Sequence, residues 1–372
     1  MNKRQQQTYK IHLHITLIAA AAGAITLWGL MAIYRTLALN GSWSELLGKQ
    51  SLWALTAWSM FFVICRIRFS TLMKYCLPIT AGGVLLLLLL PLMGNNINGM
   101  SGWFKLGGFS LQPSELLKVF YILTLVHILH LPKLPEAARV GTALGVIALF
   151  VLLLLLQPDF GTMIIYLTGG LGTLYFCRVK FKYLLLTALA AVPAAISAIM
   201  ANGYMRKRLL HFFCPELDPL GGSWHLHQFT IAVSRGEWTG VKGDMAVWSN
   251  SFLPLAYNDS IFAGLCEMLG FCGAFILLML YAGLFRQMFA LGAWRRNSLR
   301  RSAIDSLSCM LMMQTMLHIA VNLGLLPPTG ITLPLVSYGG SSLVGVMLML
   351  GTAVSAGRQE PTRLLQHDDK NN

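Results

Sequence analysis

Apolar residues in this chain come in runs too long and too frequent for a soluble core. Stretches near 12–34, 51–68, 76–94, 114–131, 138–156, 160–177, 181–201, 260–285, 304–324 and 334–357 each approach the ~20 residues needed to cross a hydrocarbon layer. The breaks between them are short and polar. The tightest is Gln157-Pro158-Asp159, which alone separates the fifth run from the sixth. One hydrophilic segment is long, residues 202–259. The pattern predicts an all-α polytopic membrane protein with about ten transmembrane helices. One long extracytoplasmic loop joins spans seven and eight, and residues 1–372 form a single integral membrane domain.

Composition supports that reading. Of the 372 residues, 56% are hydrophobic and only 11% charged, against about 25% charged in soluble domains. The net charge is +14, which in a soluble protein would suggest nucleic acid. Here the basic residues follow topology instead. With the N-terminus in the cytoplasm, inner segments carry nineteen Lys and Arg and outer segments eight, with Lys118 inside a span. That bias obeys the positive-inside rule and places both termini in the cytoplasm, with no nucleic-acid partner. The seven cysteines are single and show no metal spacing; six lie in or beside apolar runs, which favours small buried hydrophobes over a disulfide framework. The first apolar run lacks a small-residue cleavage site and reads as a span rather than a removable leader.

This topology gathers the unusual polar sequences on the outer side. Trp103 and Lys105 precede Gln112-Pro113-Ser114-Glu115, with Lys118 one helical turn on. Asp159 sits in the fifth turn, and Arg206-Lys207-Arg208 follows span seven. Gln228 lies in the long loop, Asp259 closes it, and Glu267 is two helical turns further. Ser337-Tyr338-Gly339-Gly340-Ser341-Ser342 opens the last span.

Each admits a plain and a functional reading. Glu115 and Lys118 form either an intrahelical pair that makes span four tolerable or part of a polar cavity wall. Asp259 is either an N-cap or a partly desolvated base. Trp103 is either an interfacial belt residue or a platform for a sugar. Arg208 and its neighbours contact solvent and headgroups or clamp a diphosphate. Glu267 is either a helix–helix hydrogen-bond partner or part of a site. The serine–glycine run is either a packing face or cavity-lining backbone.

Taken in order, these motifs resemble the SEDS family (shape, elongation, division and sporulation), the RodA/FtsW group of bacterial cell-wall polymerases. The resemblance runs from about residue 50 to 357. It rests on Gly-Trp-Phe-Lys-Leu-Gly with Gln112-Pro113-Ser114-Glu115, on Gln157-Pro158-Asp159-x-Gly161-Thr162, and on Asn258-Asp259-x-Ile261-Phe262-Ala263 with Glu267. The fourth block is Gly324-Leu325-Leu326-Pro327-x-Thr329-Gly330 through Ser337 and Ser341.

The resemblance implies an inverting peptidoglycan glycosyltransferase that polymerises lipid II at the outer face of the cytoplasmic membrane. It implies that Asp259 is catalytic. Trp103, Lys105, Glu115, Lys118, Asp159, Arg208, Gln228, Glu267, Ser337 and Ser341 are the substrate-binding candidates. It also implies a class B penicillin-binding protein as the crosslinking partner, with membrane lipids around both. The chain departs from the family pattern at Gly102, where an arginine is usual, and at Leu255, where a glutamate is usual. Tyr257-Asn258 stands where histidine-threonine is usual, and Cys266 replaces one of two paired glutamates. A divalent cation (Mg or Mn) is a candidate substitute for the missing arginine. Two other classes fit the same spans: a lipid-precursor flippase or transporter, and a non-catalytic division scaffold.

Overall fold

The computed structural model describes residues 3–37, 43–93, 95–97, 100–106, 109–201, 203–219, 221–241, 246 and 248–358. Every expected span has its helix. They are α1 (Lys3–Leu37), α2 (Trp43–Arg66), α3 (Phe69–Met93), α4 (Pro113–Leu129), α5 (Glu136–Leu156), α6 (Phe160–Phe176) and α7 (Phe181–Ala201). After the long loop, which carries α8 (Gly203–Phe213) and α9 (Trp224–Arg235), come α10 (Ile261–Ala293), α11 (Ser298–Asn322) and α12 (Gly340–Gly357). Among the described residues, α1, α3, α5, α10, α11 and α12 contain stretches long and apolar enough to cross a bilayer, six in all. This is a multi-pass membrane protein.

α12 is the hub. It packs against α2, α4 and α11, and every residue from Ser341 to Gly357 is buried. Its glycines explain the close approach. A Cβ added at Gly345 would lie 2.5 Å from the Glu115 carbonyl oxygen, and one at Gly351 would lie 3.1 Å from that of Phe61. A helix that meets protein on all sides has no need of lipid-facing leucines, which is why its sequence is rich in Gly, Ser and Ala.

Three local features differ from the sequence expectation. The first is a small antiparallel sheet between α3 and α4, formed by β1 (Asn95–Ile97), β2 (Met100–Leu106) and β3 (Phe109–Leu111). β2 and β3 pair through Phe104 with Leu111, Lys105 with Ser110 and Leu106 with Phe109.

The second correction is that the last span is helical from Gly340 rather than from 334. Pro334 lacks an amide donor, Leu335 has φ of +68°, and the following turn is tied down by side chains. The Leu333 N–H donates to Ser337 Oγ at 2.7 Å, and the Gly339 N–H donates to Gln50 Oε1 at 3.2 Å. Third, α10 is broken at Gly270 (φ +63°, ψ −167°). The long loop closes the break. The Phe271 N–H donates to the Glu237 carbonyl at 2.9 Å and the Cys272 N–H to that of Trp238 at 3.0 Å.

Candidate active site at one end of the helix bundle

The polar motifs meet at one end of the bundle. Asp159 is buried as the N-cap of α6 and accepts from the Thr162 N–H at 3.1 Å. Gln112 Nε2 donates to its other oxygen at 2.8 Å. The Gln112 N–H donates to Ser341 Oγ at 3.0 Å, and Ser341 Oγ donates to the Ser110 carbonyl at 3.3 Å. One glutamine therefore joins the first, second and fourth motifs. Gly161 allows the loop before α12 to pass close by, since a Cβ there would lie 2.6 Å from the Thr329 carbonyl oxygen.

Glu115 and Lys118 form a buried ion pair of 2.7 Å one turn apart on α4. Lys118 Nζ also donates to Gln314 Oε1 at 2.9 Å. Gln314 Nε2 donates to the Thr332 carbonyl at 3.1 Å, and the hydroxyls of Thr332 and Ser342 share a bond of 2.7 Å. The pair thus lies beneath the site and reaches it through a polar chain. Glu115 Oε2 is buried with no hydrogen-bond partner among the described residues.

Above that chain opens a cavity of about 140 Å³ between α2, the sheet and the turn before α12. Trp53, Trp103 and Tyr338 give it aromatic walls. Gln112, Ser341, Ser342 and Asn258 supply polar atoms, and Lys49 belongs to the lining as well. The backbone of Lys105 lies in β2, while its side chain falls outside the described residues.

Asp259 stands next to this cavity, and its surroundings decide between cap and base. The N-cap of α10 is Ser260, whose side chain makes no capping bond. The cap comes from another helix: the Ala263 N–H donates to Asn322 Oδ1 on α11 at 3.0 Å. Asn322 Nδ2 in turn donates to the Asp259 carbonyl at 2.9 Å. The main chain of Asp259 is therefore fixed while its carboxylate has no hydrogen bond among the described residues. The carboxylate is half-buried. Burial pushes it up to about 6, against the opposing charge of Arg208. A carboxylate tuned upward by desolvation, with a cation nearby, suits proton acceptance near neutral pH.

Asn322 belongs to a stripe that the sequence reading missed. His318 Nδ1 lies 2.7 Å from the Ile331 carbonyl oxygen, and Asn322 Nδ2 donates to the His318 carbonyl at 3.0 Å. Gln314, His318 and Asn322 are spaced four apart, so they share one face of α11. All three are buried. Three polar residues at helical spacing inside an apolar span were the available signal.

The remaining candidates fasten the long loop. Glu267 is fully buried and pairs with Arg235 Nε at 3.0 Å. It also accepts from the Ser249 N–H at 2.6 Å and from the Ser249 hydroxyl. Gln228 Oε1 accepts from Trp248 Nε1 at 2.7 Å. Ser337 Oγ donates to the Asn258 carbonyl at 2.8 Å, and the Tyr338 N–H donates to that of Tyr257 at 2.8 Å. Together these bonds hold the Asp259 turn against the turn before α12. Among the described residues no three His, Cys, Asp or Glu side chains converge as metal ligands. No step below uses a divalent cation.

The chain is similar to known proteins. The probable peptidoglycan glycosyltransferase FtsW of Pseudomonas fluorescens (strain SBW25) is 34% identical over 279 residues, covering 73% of this chain and 69% of that protein. Its counterpart in Aromatoleum aromaticum (strain DSM 19018 / LMG 30748 / EbN1) is 31% identical over 353 residues, covering 90% and 85%. Among solved structures, a chain from a peptidoglycan synthase complex described as coordinating polymerization and crosslinking matches with a TM-score of 0.78 at 28% identity. That match covers 91% of this chain and 96% of the other. RodA of Thermus thermophilus matches in fold, with a TM-score of 0.69 at 24% identity over 91% and 95%. The family model of cell cycle proteins that groups FtsW, RodA and SpoVE spans residues 10–361. With that match over nearly its full length, the chain belongs to the FtsW/RodA/SpoVE family of cell cycle proteins.

Proposed function

We propose that this protein is a peptidoglycan glycosyltransferase that joins lipid II-linked glycan to the 4-hydroxyl of an acceptor sugar. The observation that carries the reading is the state of Asp259. Its backbone is anchored by Asn322, its carboxylate is unused by the fold, and burial raises its proton affinity. Such a group is ready to take a proton.

Lipid II carries its sugar through an α linkage to undecaprenyl diphosphate, and glycan strands are β-1,4 linked. One inverting displacement accounts for both. The acceptor oxygen attacks the anomeric carbon, its proton passes to the Asp259 carboxylate, and the bond to the diphosphate oxygen breaks. Undecaprenyl diphosphate leaves with the electron pair. A positioned base of this kind contributes about 10²–10⁴-fold. Arg208, whose charge acts on Asp259, is suited to the negative charge that develops on the leaving group.

The basic residues at the opposite end of the bundle support an orientation with both termini in the cytoplasm. Arg300 there donates to the Ala356 carbonyl at 3.2 Å, and Lys10 lies 4.9 Å from the ring centre of Trp294. Asp259 then faces the outer side of the cytoplasmic membrane. The likeness to a chain from a polymerization and crosslinking complex supports a penicillin-binding transpeptidase of class B as partner. The test is direct. The purified full-length chain, given lipid II as its only substrate, is expected to form glycan polymer that Arg208→Ala reduces and Asp259→Ala abolishes. Lipid movement between leaflets without polymer would support a flippase instead, and neither activity would support a scaffold.

A further inference from the structure

Asp259 is flanked by two pieces of chain, and one buried side chain touches the supports of both. On one side Asn322 holds the Asp259 carbonyl and caps Ala263. On the other runs the loop before α12, where Gly330 (φ +68°) borders the carboxylate; a Cβ there would lie 3.7 Å from Asp259 Oδ2. His318 on α11 is 1% exposed. Its Nδ1 lies 2.7 Å from the carbonyl oxygen of Ile331, the residue after Gly330, and its Nε2 lies 3.3 Å from Asn322 Nδ2.

Which ring nitrogen carries the proton follows from the bonds around it. The Ala263 N–H is a donor, so the Asn322 atom that meets it at 3.0 Å is the amide oxygen. The amide nitrogen then meets the Asp259 carbonyl oxygen at 2.9 Å, as that acceptor requires. Its second hydrogen is shared between the His318 carbonyl, at 3.0 Å, and His318 Nε2. Facing a donor, Nε2 presents a lone pair; facing a carbonyl, Nδ1 carries the hydrogen. The imidazole is therefore neutral, with its proton on Nδ1. A flipped Asn322 amide would set oxygen against two carbonyl oxygens and nitrogen against an N–H. The ring and the amide thus fix each other's orientation.

We propose that His318 is a positioning residue for the glycosyl transfer. As the Nδ1–H tautomer it ties the Gly330 side of Asp259 to the Asn322 side, and so sets the carboxylate with respect to the acceptor hydroxyl. The inference rests on Asp259 acting as the base. Gln314, one turn earlier on α11, fastens the same loop independently through the Thr332 carbonyl at 3.1 Å. Loss of the imidazole should therefore leave the loop attached and disturb its alignment. Alignment is what the rate depends on, since a misplacement of about 1 Å between reacting groups can cost about 10²-fold.

The experiment pairs a spectrum with kinetics. Long-range proton–nitrogen correlation NMR of the full chain in detergent, with labelled imidazoles, is expected to show a neutral Nδ1–H histidine whose signals are missing from His318→Gln. His318→Asn sets an amide near the Nδ1 position and keeps a donor for Ile331, whereas His318→Gln sets one near the Nε2 position and keeps an acceptor for Asn322. Each variant retains half of the link. In both, kcat for lipid II polymerisation per folded chain should fall at least about tenfold, with KM held within about twofold. A histidine that only fills the core would move Tm and leave kcat per folded chain unchanged. No neutral Nδ1–H histidine in the wild type, which needs no variant to fold, or full kcat in both variants would overturn the proposal. The wild-type rate separates the two claims. Absence of polymer from the wild type refutes the enzymatic reading itself, while polymer from the wild type with full kcat in both variants refutes the role of His318 alone.

Discussion

Replacing Asp259 with asparagine separates a base from a structural carboxylate, because the two roles predict opposite outcomes. Asparagine keeps the size and a hydrogen-bond acceptor, and it caps helices about as well as aspartate. It cannot take a proton from a sugar hydroxyl. Polymerisation should therefore fall by at least about 10²-fold.

Stability should move the other way. Folding carries the carboxyl from an ordinary value of 3.8 to about 6. A folded-state value above the unfolded one means that the proton stabilises the fold. That stability is fully present below about pH 4 and is lost as pH rises through 6. At pH 7.5 the charged carboxylate then costs about 1–3 kcal/mol, the upper figure being the full shift and the lower allowing for its contact with water. Asp259→Asn should accordingly raise Tm at pH 7.5 and leave it unchanged at pH 4. In the wild type, kcat/KM should fall as pH drops through about 6, since the base is then protonated. Thermal melts in detergent and a pH–rate profile on lipid II measure all three. Near wild-type polymerisation by the asparagine variant, or a lowered Tm at pH 7.5, would refute the reasoning.

Three further outcomes are expected. Asn322→Ala removes both the cap on Ala263 and the hold on the Asp259 carbonyl, so it should lower stability by about 1–2 kcal/mol and slow polymerisation by tenfold or more, while Asn322→Asp, which retains a capping oxygen, should recover Tm before rate. Lys118→Met leaves Glu115 charged and buried, and should destabilise by about 3–5 kcal/mol; Glu115→Leu with Lys118→Met should restore most of that loss, as a denaturation series would show. An impermeant maleimide should label the native Cys214, which is exposed just beyond α8, in spheroplasts, but should not label Arg296→Cys in a Cys214→Ser background; the reverse pattern would invert the topology.

What the sequence disclosed and what it withheld have physical reasons. The long apolar helices were legible because lipid demands long unbroken apolar runs, and the motif blocks were legible because they interrupt those runs. The start of α12 was misplaced because Leu333, Leu335 and Val336 are apolar yet sit in a turn, buried against protein. Apolarity reports burial there, not helix. For the cap on α10 the sequence offered Asp259 as one of two readings, while the working acceptor is Asn322, 59 residues beyond Ala263. Local rules do not see a cap supplied from another helix. Glu267 and Gln228 were grouped with the substrate contacts on the family resemblance, and what the sequence did not show is that their side chains bond Trp248, Ser249 and Arg235. That loop is ordered by buried polar atoms whose partners lie 12 or more residues away in the chain.

The central claim is that Asp259 serves an inverting transfer of lipid-linked glycan, and product stoichiometry tests it most directly. The purified wild-type chain should release one undecaprenyl diphosphate for each β-1,4 bond formed, with the strand fully cleaved by a muramidase, while Asp259→Asn forms neither product above background. Diphosphate release without muramidase-sensitive strand, or equal yields of both from the wild type and the asparagine variant, would contradict it.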